Sequence, residues 1–169
     1  HGARVKQAFE EAMRKEQLSH DFHMVDARTP VIAEEVVAAG RVADLVVVSA
    51  TNPEEITGVE RDFVEQAVMA LGRPVIVLPY KGKAAISLNE VVIGWDGGRE
   101  AARATFDALP LLKQAEKVRV VRIDPQKDPS LRGSVAGADL AEALSRHGVK
   151  AEAQGYPTDG QDEGQALMR

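Results

Sequence analysis

Gly94-Trp95-Asp96-Gly97-Gly98 is the segment whose residue types could best hold a small molecule. An acid closes an apolar run, and two glycines follow the acid. At the carboxyl edge of an open α/β sheet such a turn takes ligands, and the Asp96 carboxylate would accept hydrogen bonds from a ribose or a base. The plainer alternative is a strand-to-helix turn in which Asp caps and Gly relieves backbone strain. The spelling G-x-x-G is too short to identify phosphate binding. Neither G-x-x-x-x-G-K-[ST] nor G-x-G-x-x-G occurs in the chain.

The remaining candidates are weaker. His20 and His23 have helical spacing, but they sit where a helix gives way to an extended run. Only Asp21 and Asp26 are near to complete a metal set, which needs ligand geometry and not proximity in sequence alone. Ser49 follows a buried run as nucleophiles do, yet it lacks the G-x-S-x-G elbow and an assignable His base. Trp95 has the surface to stack on an adenine, and equally the bulk of a core residue at a strand end. His147 precedes Gly148 where a helix end favours a polar or cationic group. Asp124 through Pro129 reads as a solvated loop.

Composition narrows the classes. Of 169 residues, 44% are hydrophobic and 28% charged, enough of both for a folded core and a solvated surface. There is no cysteine, which removes disulfide scaffolds, thiolate metal sites and thiol nucleophiles, and is compatible with a reducing cytoplasm. The net charge of −5 lacks the basic footprint of a nucleic-acid binder. No apolar run approaches the ~18 residues of a membrane helix, and no signal peptide is visible. The expectation is a cytoplasmic protein with neither nucleic-acid nor membrane partners.

The elements that must position these residues follow from periodicity. Residues 3–18 predict a helix on Val5, Phe9 and Met13. Phe22, Met24 and Val25 suggest a short strand. Thr29-Pro30 opens a second helix, which stops at Gly40 as its cap. Asp44–Val48 and Pro74–Pro79 are continuous apolar runs, the pattern of strands buried on both faces of a parallel sheet. Between them, about 59–71 is a helix with Phe63, Ala67, Val68 and Leu71 on one face, capped by Gly72. Val91–Trp95 is a strand, Glu100–Leu112 a helix, and Val118–Ile123 a strand. About 134–147 is a helix, Val149–Ala153 a strand, and Thr158–Arg169 the start of another helix. Strands alternating with helices over short connections give α/β, a doubly wound parallel sheet with helices on both faces. The order helix, short strand, Pro-containing loop, helix occurs at 3–40 and again at 134–169.

The segment VVIGWDGGREAARATFDALPLL resembles the opening of a universal stress protein domain. ADLVVVS, followed by GRPVIVLP, resembles the fourth and fifth strands of the same domain. The stretch between, YKGKAAISL, looks like the join in tandem bacterial members. The resemblance implies a five-stranded parallel sheet of order 3-2-1-4-5. It implies ATP as cofactor, a homodimer, and a role in stress survival without a defined catalysed reaction. Residues 1–80 then match the second half of one domain, 81–87 a linker, and 88–169 the first half of the next.

Residue by residue, Asp96 matches the family acid at the end of strand one, with Gly97 and Gly98 in the following turn. A backbone contact to the adenine falls at about Arg122. The family phosphate pattern G-x2-G-x9-G-[ST] is absent after Val48, where the 50–58 loop carries one Gly, a Pro without an N–H, and Glu54 and Glu55. Two carboxylates repel a polyphosphate. The fifth strand, at 75–78, is an edge expected to pair across a homo-oligomer or with another domain.

Two alternatives stand beside adenine-nucleotide binding. One is an interaction module without nucleotide. The other is a nucleotide-dependent enzyme of the same general fold, for which no catalytic group is visible. The shifted frame further suggests one composite sheet, with strands one to three from the later half beside strands four and five from the earlier half.

Overall fold

Five short parallel strands and seven helices are present among the described residues. The structure is a computed structural model, and it describes residues 2–25, 32–52, 54, 62–82, 87–124 and 137–167. Thr29, Pro30, most of the 50–58 loop, the middle of the 81–87 linker and residues 125–136 lie outside that set.

In the first half, α1 (Gly2–Lys15) has no buried residue. Phe9 packs on Phe22 and His20, with ring centroids 5.6 and 5.5 Å away. The expected strand at 22–25 does not form; Phe22 folds back on α1, and none of these residues pairs in a ladder. Helix α2 (Ile32–Gly40), strand β1 (Val46–Ser49), helix α3 (Phe63–Leu71) and strand β2 (Val75–Leu78) follow. Gly40 ends α2 for a reason other than capping. A Cβ there would lie 2.4 Å from a methyl of Leu71 and 3.0 Å from one of Val46, so Gly lets three elements close together. Gly72, by contrast, closes α3 in the left-handed conformation, as expected.

In the second half, β3 (Glu90–Gly94) leads through the Asp96 turn to α4 (Arg99–Asp107) and α5 (Leu109–Leu112). The single helix expected over 100–112 breaks at Ala108, because Pro110 has no N–H to continue the ladder. Strand β4 (Lys117–Ile123), helix α6 (Ala138–Arg146), strand β5 (Ala151–Tyr156) and helix α7 (Glu163–Leu167) complete it.

The strands form two parallel sheets, β1-β2 and β3-β4-β5. In the larger sheet, Ile93, Val118 and Val120 pack with Leu112, Leu140 and Leu144 on one face. Side chains alternate along a strand, so Gly94 turns to the other face, where Leu167 of α7 lies over it. Helices therefore cover both faces of this sheet, and the chain switches face after β5. In the smaller sheet Val48 packs under Ala33 and Phe63, but Val47 remains 54% exposed. The expectation of burial on both faces is corrected there: α2 and α3 supply one cover only among the described residues. Val68 likewise faces outward, half exposed.

The composite sheet does not form. β3 pairs with β4 and β1 with β2, and among the described residues no ladder joins β3 to β1. Only residues 79–89 separate β2 from β3. A parallel crossover needs about a dozen residues or more, so the connection is short for a strand placed on the far side of β1. The repeat of architecture is also incomplete, since its first copy lacks the strand.

Candidate functional site

The site grows from the carboxyl end of β3. Ladder pairing runs one residue past the strand, where Trp95 N–H donates to Val121 O at 2.8 Å. The chain then turns. Gly98 N–H donates to Asp96 Oδ1 at 2.7 Å, and Gly97 takes φ +82, a conformation that favours glycine. A Cβ on Gly98 would sit 2.9 and 3.0 Å from the two Asp96 carboxylate oxygens, so a larger residue there would push that carboxylate aside. The strand-to-helix turn forms as expected, but Asp96 braces the turn and does not cap α4, whose N-cap is Gly98 with no side-chain cap bond. The turn does not remove the other reading, because the same carboxylate, exposed to solvent, also borders a cavity.

That cavity has a volume of about 410 Å3. Asp96 lies on one side of it and Arg122, at the end of β4, on another. Gly97 and Arg122 are neighbours, since a Cβ on Gly97 would be 3.5 Å from an Arg122 guanidinium nitrogen. Helix α7 supplies a third wall through Glu163, Gly164 and Leu167. The structure therefore brings Asp96, Gly97 and Arg122 together at the carboxyl edge of the sheet. Gly98 stands behind them as the first residue before α4, with its O accepting from Ala102 N–H at 3.0 Å. Two carboxylates and one guanidinium around the cavity suit a polar, hydrogen-bonding ligand with both donors and acceptors.

Trp95 borders the cavity, but it packs against the core of the larger sheet, beside Gly137 and Val120. Its core role is real, and stacking on a ligand is not its main contact. A larger hollow of about 530 Å3 opens at the amino-terminal ends of β4 and β5. Two of its charges pair with each other: Lys117 Nζ lies 2.8 Å from Glu152, and the hydrogen bond from Lys117, then its charge, holds the Glu152 carboxyl below the usual range. The smaller cavity is the better site, because it lies at the ligand edge of the sheet.

Sequence reasoning missed two contributors. Glu163 and its helix reach the cavity from the far end of the chain. Asp124, read as part of a solvated loop, is 8% exposed. Its N–H donates to Tyr156 O at 2.8 Å, and its two carboxylate oxygens accept from Thr158 N–H and Thr158 Oγ1, both at 2.9 Å. The available signal was the one that marked Asp96, an acid directly after a buried strand.

The other candidates have local partners. His20 Nδ1 is 3.0 Å from Leu18 O, and no group of three or more His, Cys, Asp or Glu could hold a metal among the described residues. Ser49 Oγ donates to Ala50 O at 3.4 Å. His147 ends α6, its N–H donating to Leu144 O at 3.0 Å and its ring edge-on to Phe106. In the 50–58 loop, Glu54 N–H donates to Asn52 Oδ1 at 3.1 Å, and the Glu54 carboxylate pairs with Lys81 at 3.8 Å. No helix among the described residues is long and apolar enough to cross a membrane.

No protein-family model matches the chain, and a search of curated proteins likewise finds no match.

Proposed function

We propose that this chain is a regulatory binding protein of the universal stress type, which takes an adenine nucleotide beside Asp96 and does not turn it over. The observation that carries the reading is the cavity at the carboxyl ends of β3 and β4, bordered by Asp96 and Arg122. Its volume of about 410 Å3 falls in the ordinary range for small-molecule sites, roughly 300–1,000 Å3. Asp96 Oδ1 is engaged by the turn at Gly98; its carboxylate is left to accept from a ribose hydroxyl or a base amine. The backbone at Arg122 would meet the adenine edge.

Strand order supports the reading. If β3, β4 and β5 correspond to family strands one, two and three, the observed neighbours are the 3-2-1 part of the order 3-2-1-4-5. β1 and β2, in a sheet of their own, match the 4-5 pair. Residues 1–80 are the second half of one domain in this reading and 88–169 the first half of the next, joined by the 81–87 linker. The site at Asp96 lacks a glycine-rich phosphate cradle among the described residues. The base and ribose therefore carry the binding, and ATP and adenosine should bind with similar strength. Calorimetric titration with ATP and with adenosine, against wild type and Asp96→Ala, tests this; loss of a hydrogen bond to a charged group should weaken binding roughly tenfold or more.

A second reading is favoured by the smaller sheet. Val47 and Val77 are 54% and 41% exposed, and β2 has one open edge among the described residues. An apolar open edge calls for a cover. An interaction module pairing through strand 75–78, with a second copy or another domain, is compatible with nucleotide binding or can replace it.

A further inference from the structure

We propose that Asp124 is the positioning residue of the candidate site, acting through Thr158 to hold α7 in place as its wall. This rests on the reading of the cavity as a ligand site. Asp124 is buried and adopts φ +44, in the left-handed region that an L-residue enters at a cost. A conformation of this kind persists where surrounding contacts over-determine it. Here the contacts are specific. The Asp124 N–H is fixed by Tyr156 O, which ties the ends of β4 and β5 together. Both oxygens of its carboxylate accept from Thr158, thirty-four positions along the chain.

Thr158 starts the turn that leads to α7. Gln161 N–H donates to Thr158 O at 3.1 Å, and the chain passes through left-handed Asp159 and Gly160. Asp162 then caps α7, its Oδ1 accepting from Gln165 N–H at 2.9 Å and its O from Ala166 N–H at 3.0 Å. Four residues beyond that cap, Ala166 is buried and Leu167 covers Gly94. A helix of five residues has little stability of its own. Its place over the sheet comes from the Thr158 anchor at one end and the Leu167 contact at the other. Ile123, next to Asp124, borders the same cavity as Glu163 and Leu167. The anchor thus sits beside the wall it positions.

Three variants separate this role from plain stability. Asp124→Gly removes both acceptors and relieves the left-handed backbone. Asp124→Asn keeps an oxygen for Thr158 N–H and offers an N–H to Thr158 Oγ1, so it should rescue. Thr158→Val removes one bond of the two. Amide hydrogen exchange without ligand is read at Gln165 and Ala166, with Val118 and Val120 as core references. Asp124→Gly should lower protection at Gln165 and Ala166 roughly tenfold or more, Thr158→Val less, and Asp124→Asn little, with the references unchanged. Titration with ATP, read by the fluorescence of Trp95, the chain's one tryptophan, should show weaker binding in the same rank order. Unchanged protection in Asp124→Gly overturns the anchor. Lost protection with undiminished ATP binding overturns its positioning of the site. If wild type binds no ATP, the nucleotide reading fails, and the exchange data still decide whether Asp124 anchors α7.

Discussion

Gly137 and Gly148 flank helix α6 with nearly the same backbone, φ +79 and +82, but in different surroundings. A Cβ on Gly148 would meet nothing within 4 Å, whereas one on Gly137 would lie 2.7 Å from a Val120 methyl and 3.5 Å from the Trp95 ring. Val120 is fully buried, so it has little room to yield. Alanine at either position bears the left-handed strain, about 1–2 kcal/mol. Only Gly137→Ala adds overpacking, about 1–3 kcal/mol more. Urea unfolding followed by Trp95 fluorescence measures both. With a slope of about 2 kcal/mol per molar, the Gly137→Ala midpoint should fall at least roughly 0.5 M below that of Gly148→Ala. Equal midpoints, or a larger loss in Gly148→Ala, would refute the packing of Gly137 against Val120 and Trp95, and with it the support of the site from beneath.

Two further outcomes follow from the charges and the open edge. The Glu152 carboxyl is held low by Lys117, so its contribution to stability is present above the usual carboxylate range and lost as pH falls through the lowered value. An NMR titration should show the Glu152 midpoint rising in Lys117→Met, and an unmoved midpoint would discount the pair. If strand 75–78 pairs across copies, Val77→Lys should give a smaller species by light scattering, and an unchanged mass would count against that pairing.

Local signals made most elements legible. Apolar runs marked β1 to β4, a short strand was expected at 149–153 where β5 (Ala151–Tyr156) forms, Gly72 marked the end of α3, and Asp96-Gly97-Gly98 marked the turn that became the cavity's edge. What escaped was non-local. Gly40 looks like a stop signal in one dimension, and only the approach of Leu71 and Val46 shows why it is glycine. Asp124 looks solvated beside Pro125, until Thr158 arrives from thirty-four residues away. The apolar spacing of Val5, Phe9 and Met13 correctly gave a helix, but periodicity does not say what a face will meet, and α1 buries nothing. The same limit applies to the sheets: residue types specified strands, but not which strands pair.

The central claim is that Asp96 and its neighbours form an adenine-nucleotide site. Isothermal titration of the whole chain with ATP and with adenosine, repeated on Asp96→Ala, tests it most directly. Saturable heat is expected with both ligands in wild type, of similar affinity, with a loss of roughly tenfold or more in the variant. No binding of either ligand, or equal binding by wild type and Asp96→Ala, would contradict it.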